Sequence, residues 1–198
     1  MLKRHIVIPV VFLTLTAWSA AGHQHEDHGK SYTAKFTSLG SGPVSHYSGR
    51  PIHHHVGASD LESEVGLFEE VLPPKSLGAP PHTHSHEDEI FVVLKGKVNF
   101  LSGEEEVVAE AGTIASLPRN LIHGFWNPYD EPAQLLVFVA PGHFTEFFGA
   151  VEKAMSQVEN KTPEAIGEVI AKEAAAIGVN VDMSKLPASA MALLQPPG

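Results

Sequence analysis

The stretch of residues 78–127 constrains the fold most, because it places metal-ligand side chains at strand spacing. His82 and His84 lie two positions apart, and residues two apart in a strand point to the same face, roughly 7 Å from each other. Glu89 opens an apolar run, Glu-Ile-Phe-Val-Val-Leu, that is typical of a buried strand, and His123 follows a Pro-x-Asn turn. Three imidazoles and one carboxylate predict a site for a transition metal rather than for calcium or magnesium.

Short strand-like runs, separated by turn residues, surround these side chains. The runs lie at 64–72, 89–94, 97–101, 105–108, 113–117, 123–126 and 133–139. Proline, glycine and asparagine occupy the breaks between them, as turns require. Pro73-Pro74 and Pro80-Pro81 bracket a predicted loop that leads into His82. Regular spacing of short strands predicts an all-β fold, either a barrel or a double-sheet jelly roll.

The two ligand-bearing segments resemble the two signature motifs of the cupins. The matching residues are His82, His84, Glu89 and Gly96 in the first motif and Gly112, Pro118, His123 and Asn127 in the second. Asn120 stands where many cupins have glycine, and asparagine tolerates a left-handed backbone better than most residues. The resemblance covers residues 64–148. It implies a cupin jelly-roll or double-stranded β-helix barrel with His82, His84, Glu89 and His123 as metal ligands.

Within the cupins, the chain resembles the small single-barrel proteins related to quercetin dioxygenase. The similarity is carried by the run Pro-Pro-His-Thr-His-Ser-His-Glu-Asp-Glu at 80–89 and by Pro-Gly-His-Phe-Thr-Glu-Phe-Phe at 141–148. It implies one divalent metal (iron, manganese, nickel, cobalt or copper, with zinc also suited to the donor set) and dioxygenation with molecular oxygen as co-substrate. Glu89 is then expected to be both a ligand and the catalytic base that accepts the hydroxyl proton of an enolic substrate.

The predicted wall of the site is apolar. Counting by two from Glu89 places Phe91 and Val93 on its face, and the same count places Phe125 on the face of His123. Such a wall favours a small apolar or aromatic enolic substrate. No Arg or Lys cluster lies near the motifs, which disfavours phosphate and multiple carboxylates.

Two other functions remain open. One is a metal-dependent binding protein that holds a small molecule without turnover. The other is a protein that resembles the germins, which are manganese cupins acting on oxalate or superoxide; its small anionic substrate would need a nearby cation.

Residues 1–21 are interpreted as a signal peptide. Lys3 and Arg4 precede a short apolar run, and small residues at 19–21 offer a cleavage site. Export to the periplasm or outside the cell is therefore expected, and no membrane span is expected after cleavage. The net charge is −10 before cleavage and 11 − 23 = −12 after it, so nucleic acid is an unfavourable partner.

Two histidine clusters have no assigned role. His23, His25 and His28 follow the signal peptide and offer either a metal-gathering tail or a solvated terminus. His53, His54 and His55 are better explained as a polar strand or loop, because no carboxylate stands nearby at ligand spacing. His86 continues the alternation of the first motif and is placed either at the rim of the site or behind the ligands.

The period changes after residue 141. Phe144, Phe147, Phe148 and Val151 recur at helical spacing, and Thr162-Pro163 begins a second helix that ends at Gly178. One or two C-terminal helices are thus predicted, covering one end of the barrel or joining a second subunit. The predicted organisation is signal peptide 1–21, His-rich extension 22–60, barrel 61–148 and helical extension 149–198. By analogy with small cupins, a homodimer is expected.

Overall fold

The structure, a computed structural model, describes residues 31–194; the proposed signal peptide and the histidines at 23, 25 and 28 lie outside the described residues. Within that range the strands are β1 (Val44–Tyr47), β2 (Arg50–Val56), β3 (Gly66–Leu72), β4 (Ser76–His84), β5 (Asp88–Lys95), β6 (Lys97–Ser102), β7 (Glu105–Glu110), β8 (Ile114–Leu117), β9 (His123–Asn127), β10 (Ala133–Ala140) and β11 (Val179–Val181). The α-helices are α1 (Glu146–Met155), α2 (Pro163–Ala176) and α3 (Ala188–Met191). Short 3-10 turns lie at Gly142–Thr145, Met183–Lys185 and Ala192–Leu194.

The strands form two antiparallel sheets. One has the order β1-β2-β3-β10-β5-β8 and the other the order β11-β4-β9-β6-β7. Because strand side chains alternate between faces, each sheet contributes one apolar face to the core. In β10, for example, Ala133, Leu135, Val137 and Val139 are fully buried, whereas the residues between them are half-buried. The all-β jelly-roll prediction is confirmed.

The six-stranded sheet extends upstream of residue 61, the predicted start of the barrel. β1 and β2 form a hairpin, and β2 pairs with β3 so that Ile52 lies opposite Glu70. Ile52 is fully buried, so this hairpin belongs to the core. Its apolar residues are few and scattered among histidines, which explains why the sequence alone gave no clear strand signal there.

The expected loop between the two proline pairs is a strand. β4 pairs with β9 over this stretch, but the register shifts between Leu77 and Ala79 and again between Ala79 and His82. Proline has no N–H to donate to a neighbouring strand, so Pro80 and Pro81 are accommodated at such irregularities. The bulged strand delivers His82 and His84 to the interior.

The C-terminal segments cover one end of the barrel. Thr162 caps α2, since its side-chain oxygen accepts from the backbone N–H of Ala165, as the sequence predicted. The phenylalanines of the segment 144–148 are buried, and β11 pairs with β4 directly beside His82 and His84. The structure shows the covering arrangement that was considered for these helices, and their joining of a second subunit stays a prediction. Within the described residues, no helix is long and apolar enough to span a bilayer.

Gly78→Ala is expected to lower the free energy of unfolding by about 1–3 kcal/mol, the cost of forcing extra volume into a packed core. A Cβ at Gly78 would overlap the ring of Phe125, which is buried and cannot move aside freely. Gly167→Ala is the matched control. No atom lies within 4 Å of its added Cβ, and alanine is a better helix former, so it should be neutral or stabilising. Chemical denaturation of both variants measures the difference, and equal stabilities would contradict the packing described here.

Candidate metal centre

The structure brings the four predicted ligand side chains together inside the barrel. His82 and His84 project from β4, Glu89 from β5 and His123 from β9, where it lies directly opposite His82. One nitrogen or oxygen atom from each of them lies within 4.8 Å of all the others. All four are buried, and His84 is fully so. The assignment of these four side chains as metal ligands stays a prediction.

Each imidazole is oriented by its outer nitrogen. Nδ1 of His82 lies 2.8 Å from the carbonyl oxygen of Pro80, and Nδ1 of His123 lies 2.9 Å from that of Leu121. A carbonyl only accepts, so both Nδ1 atoms carry the proton and donate it. Nε2 is then left with a lone pair that faces the cluster.

The donor set fits a transition-metal ion. Nε2 of His82 and Nε2 of His84 are 3.1 Å apart, and Nε2 of His123 is 2.9 Å from Oε2 of Glu89. With the imidazole protons held on the outer nitrogens, these inner atoms are all electron-pair donors, and they repel one another. A cation between them turns this repulsion into coordination. Imidazole nitrogens with one carboxylate oxygen suit zinc, iron, copper, nickel, cobalt and manganese.

Burial sets the protonation states that such coordination requires. It lowers the pKa of His82 to about 3, with His123 adding to the effect, so this imidazole is neutral at neutral pH. For Glu89, burial alone would raise the pKa. The close contact of its Oε2 with Nε2 of His123, together with the neighbouring imidazoles, outweighs burial and holds the pKa of Glu89 below its usual value. The cluster therefore presents a neutral His82 beside an ionised carboxylate.

Glu87 is a further functional candidate that the sequence reasoning missed. It is buried, and its Oε2 lies 3.1 Å from Nδ1 of His84. The carboxylate fixes the His84 proton on the outer nitrogen, as the carbonyls do for the other two imidazoles. The sequence offered one signal of this role, because Glu87 follows His84 by three positions. An acidic residue at that position is equally typical of an exposed turn.

Glu87→Leu is expected to weaken metal binding about 10- to 100-fold, the usual effect of removing a partner behind a metal-bound histidine. Glu87→Gln is the matched control, because its amide oxygen still accepts from Nδ1 of His84 and the loss should be smaller. Competition against a chromophoric chelator measures both affinities. If the two variants bind metal equally well, Glu87 does not orient His84.

A cavity of about 60 Å³ adjoins the cluster. Since a water molecule needs roughly 10–15 Å³ of such volume, it holds about four to six waters. His82 and Glu89 line one part of it, and the wall is formed largely by phenylalanines, namely Phe68, Phe91, Phe125, Phe144, Phe147 and Phe148. Three of these come from the C-terminal segment, and the ring of Phe144 lies 4.8 Å from that of His84. The expected apolar wall at Phe91 and Phe125 is present, whereas Val93 lies in the core without lining the cavity.

A positively charged side chain also lines this cavity, although the sequence shows no Arg or Lys cluster near the motifs. Arg50 reaches it from β2 and is buried, together with Glu70 of β3. Nη2 of Arg50 lies 3.3 Å from Oε2 of Glu70. The absence of a basic cluster around the two motifs was a misleading sign, because Arg50 is about thirty positions upstream of the first motif and arrives through strand pairing.

The other histidines between residues 31 and 194 lie outside the cluster. His86 is exposed. His54 lies 3.0 Å from Oγ of Ser45, and His55 contacts Thr37 and Glu69. A carboxylate does reach His55, although it comes from the neighbouring strand rather than from nearby in sequence. Among the described residues, no second group of three or more ligand-type atoms includes this histidine run.

A comparison with protein families agrees with this architecture. A family model described as "Cupin domain" matches residues 68–139. Among solved structures, TT1209 from Thermus thermophilus is 32% identical, covers 41% of this chain and 78% of its own, and has a TM-score of 0.38. A predicted oxalate decarboxylase from Thermotoga maritima is 21% identical, with 46% and 79% covered and a TM-score of 0.44. A sugar phosphate isomerase of the cupin superfamily from Silicibacter pomeroyi is 26% identical, with 46% and 59% covered and a TM-score of 0.42. No curated protein matches the chain.

Proposed function

Because the chain belongs to the cupin superfamily, we propose that it is a metal-dependent oxidoreductase of the dioxygenase type that acts on a small enolic substrate. One observation carries this proposal: a buried cluster of three histidines and one glutamate opens onto a cavity walled by aromatic rings. The cupin fold hosts many chemistries, so the proposal rests on this site rather than on the fold.

Each group of residues in the site has a separate role in this proposal. His82, His84 and His123 would hold the metal as neutral donors, each kept in one tautomer by its outer hydrogen bond. The metal, when bound, supplies a Lewis acid and a redox centre. The carboxylate of Glu89 accepts the hydroxyl proton of the enol. The phenylalanine wall excludes water and gives the apolar part of the substrate its contacts.

Cavity size favours a substrate smaller than a flavonol. A three-ring flavonol is much larger than the four to six waters for which the cavity has room, so it would need Phe144, Phe147 and Phe148 to move with the C-terminal segment. A small enol such as that of 2,4-pentanedione does not require these side chains to move. We therefore assign a small enol as the preferred substrate class.

Oxygen uptake tests the proposal. Protein loaded in turn with iron, manganese, nickel, cobalt or copper is mixed with 2,4-pentanedione or with quercetin, and dissolved oxygen is followed. The expected result is one O₂ consumed per molecule of the small enol, with both oxygen atoms recovered in the products. Metal binding without oxygen uptake on any enol would instead favour a non-catalytic binding protein.

A second candidate function gains support from Arg50. A germin-like manganese cupin acting on oxalate needs a cation beside the metal, and Arg50 lines the same cavity. Carbon dioxide release from oxalate by the manganese-loaded protein, without oxygen uptake on enols, would favour this candidate.

Export remains part of the proposal. The basic start at Lys3 and Arg4 and the small residues at 19–21 place the mature N-terminus near Gly22. Sequencing the N-terminus of protein recovered from the periplasm or the medium tests this. Full-length protein retained in the cytosol would contradict it.

The expected homodimer also stays a prediction, which light scattering of the mature protein checks.

A further inference from the structure

We propose that Ile170 and Ala174 of α2 select substrates by size: they form the part of the cavity wall that limits the length of the apolar group on a metal-bound substrate. The C-terminal helical segment thereby has a role in specificity besides covering the barrel. The inference rests on the proposed metal site, but not on oxygen chemistry.

Both side chains belong to the wall of the cavity that adjoins the metal cluster. Ile170 and Ala174 line the same cavity as His82 and Glu89. They are four positions apart in α2, so they lie on the same face of the helix, one turn from each other. Ala174 is buried, whereas Ile170 is half-buried and keeps accessible surface. A larger or smaller side chain at either position therefore changes the volume that is open to a ligand.

The C-terminal end of α2 is tied to the strand that carries two of the predicted ligands. β11 follows α2 closely and pairs with β4, so that Val179 lies opposite His84 and Val181 lies opposite His82. Both valines line the cavity as well. α2 and β11 follow the matched cupin domain, which ends at residue 139. This segment thus adds to the barrel a wall that the matched domain does not include.

The aromatic part of the wall is a poorer place to adjust cavity size. The rings of Phe91, Phe100 and Phe125 contact one another, with centroids 5.1–5.9 Å apart, and all three are buried. Removing any of them leaves a costly gap in the core. Within α2, which the structure describes in full, only Ala174 is buried. Side chains on this helix can therefore change the cavity with less damage to the core.

Binding of straight-chain hydroxamates to cobalt(II)-loaded protein under anaerobic conditions tests the proposal. From acetohydroxamate to octanehydroxamate the metal-binding group stays the same, and only the hydrocarbon chain lengthens. The visible absorption of cobalt(II) reports binding, whether or not any reaction follows. In wild-type protein the affinity should rise about 4-fold for each CH₂ group that is buried, and it should fall once the chain outgrows the cavity.

Variants then assign this length limit to α2. Ile170→Ala removes three carbon atoms from the wall and should make a longer hydroxamate the tightest ligand, with about 4-fold gained for each further CH₂ group that fits. Ala174→Leu adds three carbon atoms and should make a shorter one the tightest. If Ala174→Leu does not fold, because overpacking is costly, Ile170→Phe at the half-buried position decides and should also favour a shorter chain.

Ile166→Ala and Ala175→Leu are the matched controls. They make the same two changes in the same helix, at residues that do not line the cavity, and Ala175 is exposed. Both controls should keep the chain length that wild-type protein prefers.

Structural damage and loss of the size limit give different results. A general disturbance of the site changes the affinity for every hydroxamate by the same factor and leaves the preferred chain length unchanged. An unchanged preference in the cavity variants, or an equal shift in the controls, overturns the inference. Shifts in opposite directions in a protein without oxygen uptake uphold the inference and reject the proposed dioxygenase function alone.

Discussion

Glu89→Gln is expected to retain part of the bound metal while losing oxygen-dependent turnover by about 100-fold or more, the scale of general-base catalysis. The amide keeps the shape of the side chain and one oxygen donor, but it no longer accepts the enol proton. The carboxylate is buried and lines the cavity, so it can reach the hydroxyl proton of an enol that is bound there. Oxygen consumption with 2,4-pentanedione, measured beside the metal content of the same samples, gives the result.

Glu69→Gln is the matched control for this variant. Glu69 is as buried as Glu89, but it contacts Gly40, His55 and Gln134 and does not line the cavity. It should change stability and leave turnover per bound metal unchanged. Full activity in Glu89→Gln, with full metal content, would show that Glu89 is neither the base nor a required ligand.

Substituting any one of His82, His84 and His123 with alanine is expected to remove most of the tightly bound metal. Each imidazole is predicted to supply one of four bonds, and a hydrogen bond at its outer nitrogen already fixes its orientation, so the site should depend on every one of its donors. We expect the metal affinity to fall at least ~10- to 100-fold, which is the usual effect of removing only the hydrogen-bond partner of a metal-bound histidine. Chelator competition on purified protein measures it.

His86→Ala provides the comparison for these three variants. His86 lies two residues after His84 but is exposed and stands outside the cluster. Metal affinity should match that of the wild-type protein. A loss as large as that of His84→Ala would mean that His86 is a ligand and that the four-residue site is assigned incorrectly.

The parts of the site that lie close together in sequence were predictable, because strand geometry is local. A period of two places His82 and His84 on one face, and the apolar run after Glu89 identifies a buried strand. The left-handed backbone at Asn120 was likewise foreseeable, and its φ is 64°. These features can be predicted from strand alternation and from the conformational preferences of single residues.

The parts that depend on distant strand pairing were not predictable. Arg50 reaches the cavity because β2 pairs with β3 and brings it beside Glu70, twenty residues away. Nothing in the local pattern of the His-rich stretch signals that pairing. The short strand β11 completes a sheet beside His82 and His84 from almost a hundred residues downstream, and its three residues carry no periodic signal of their own.

An anomalous-difference map from a crystal of the metal-loaded protein, recorded at the absorption edge of that metal, tests the central claim most directly. The predicted result is one peak per chain, about 2.0–2.2 Å from Nε2 of each of His82, His84 and His123 and from a carboxylate oxygen of Glu89. A well-occupied peak elsewhere, with none among these four side chains, would contradict the metal site and the function built on it.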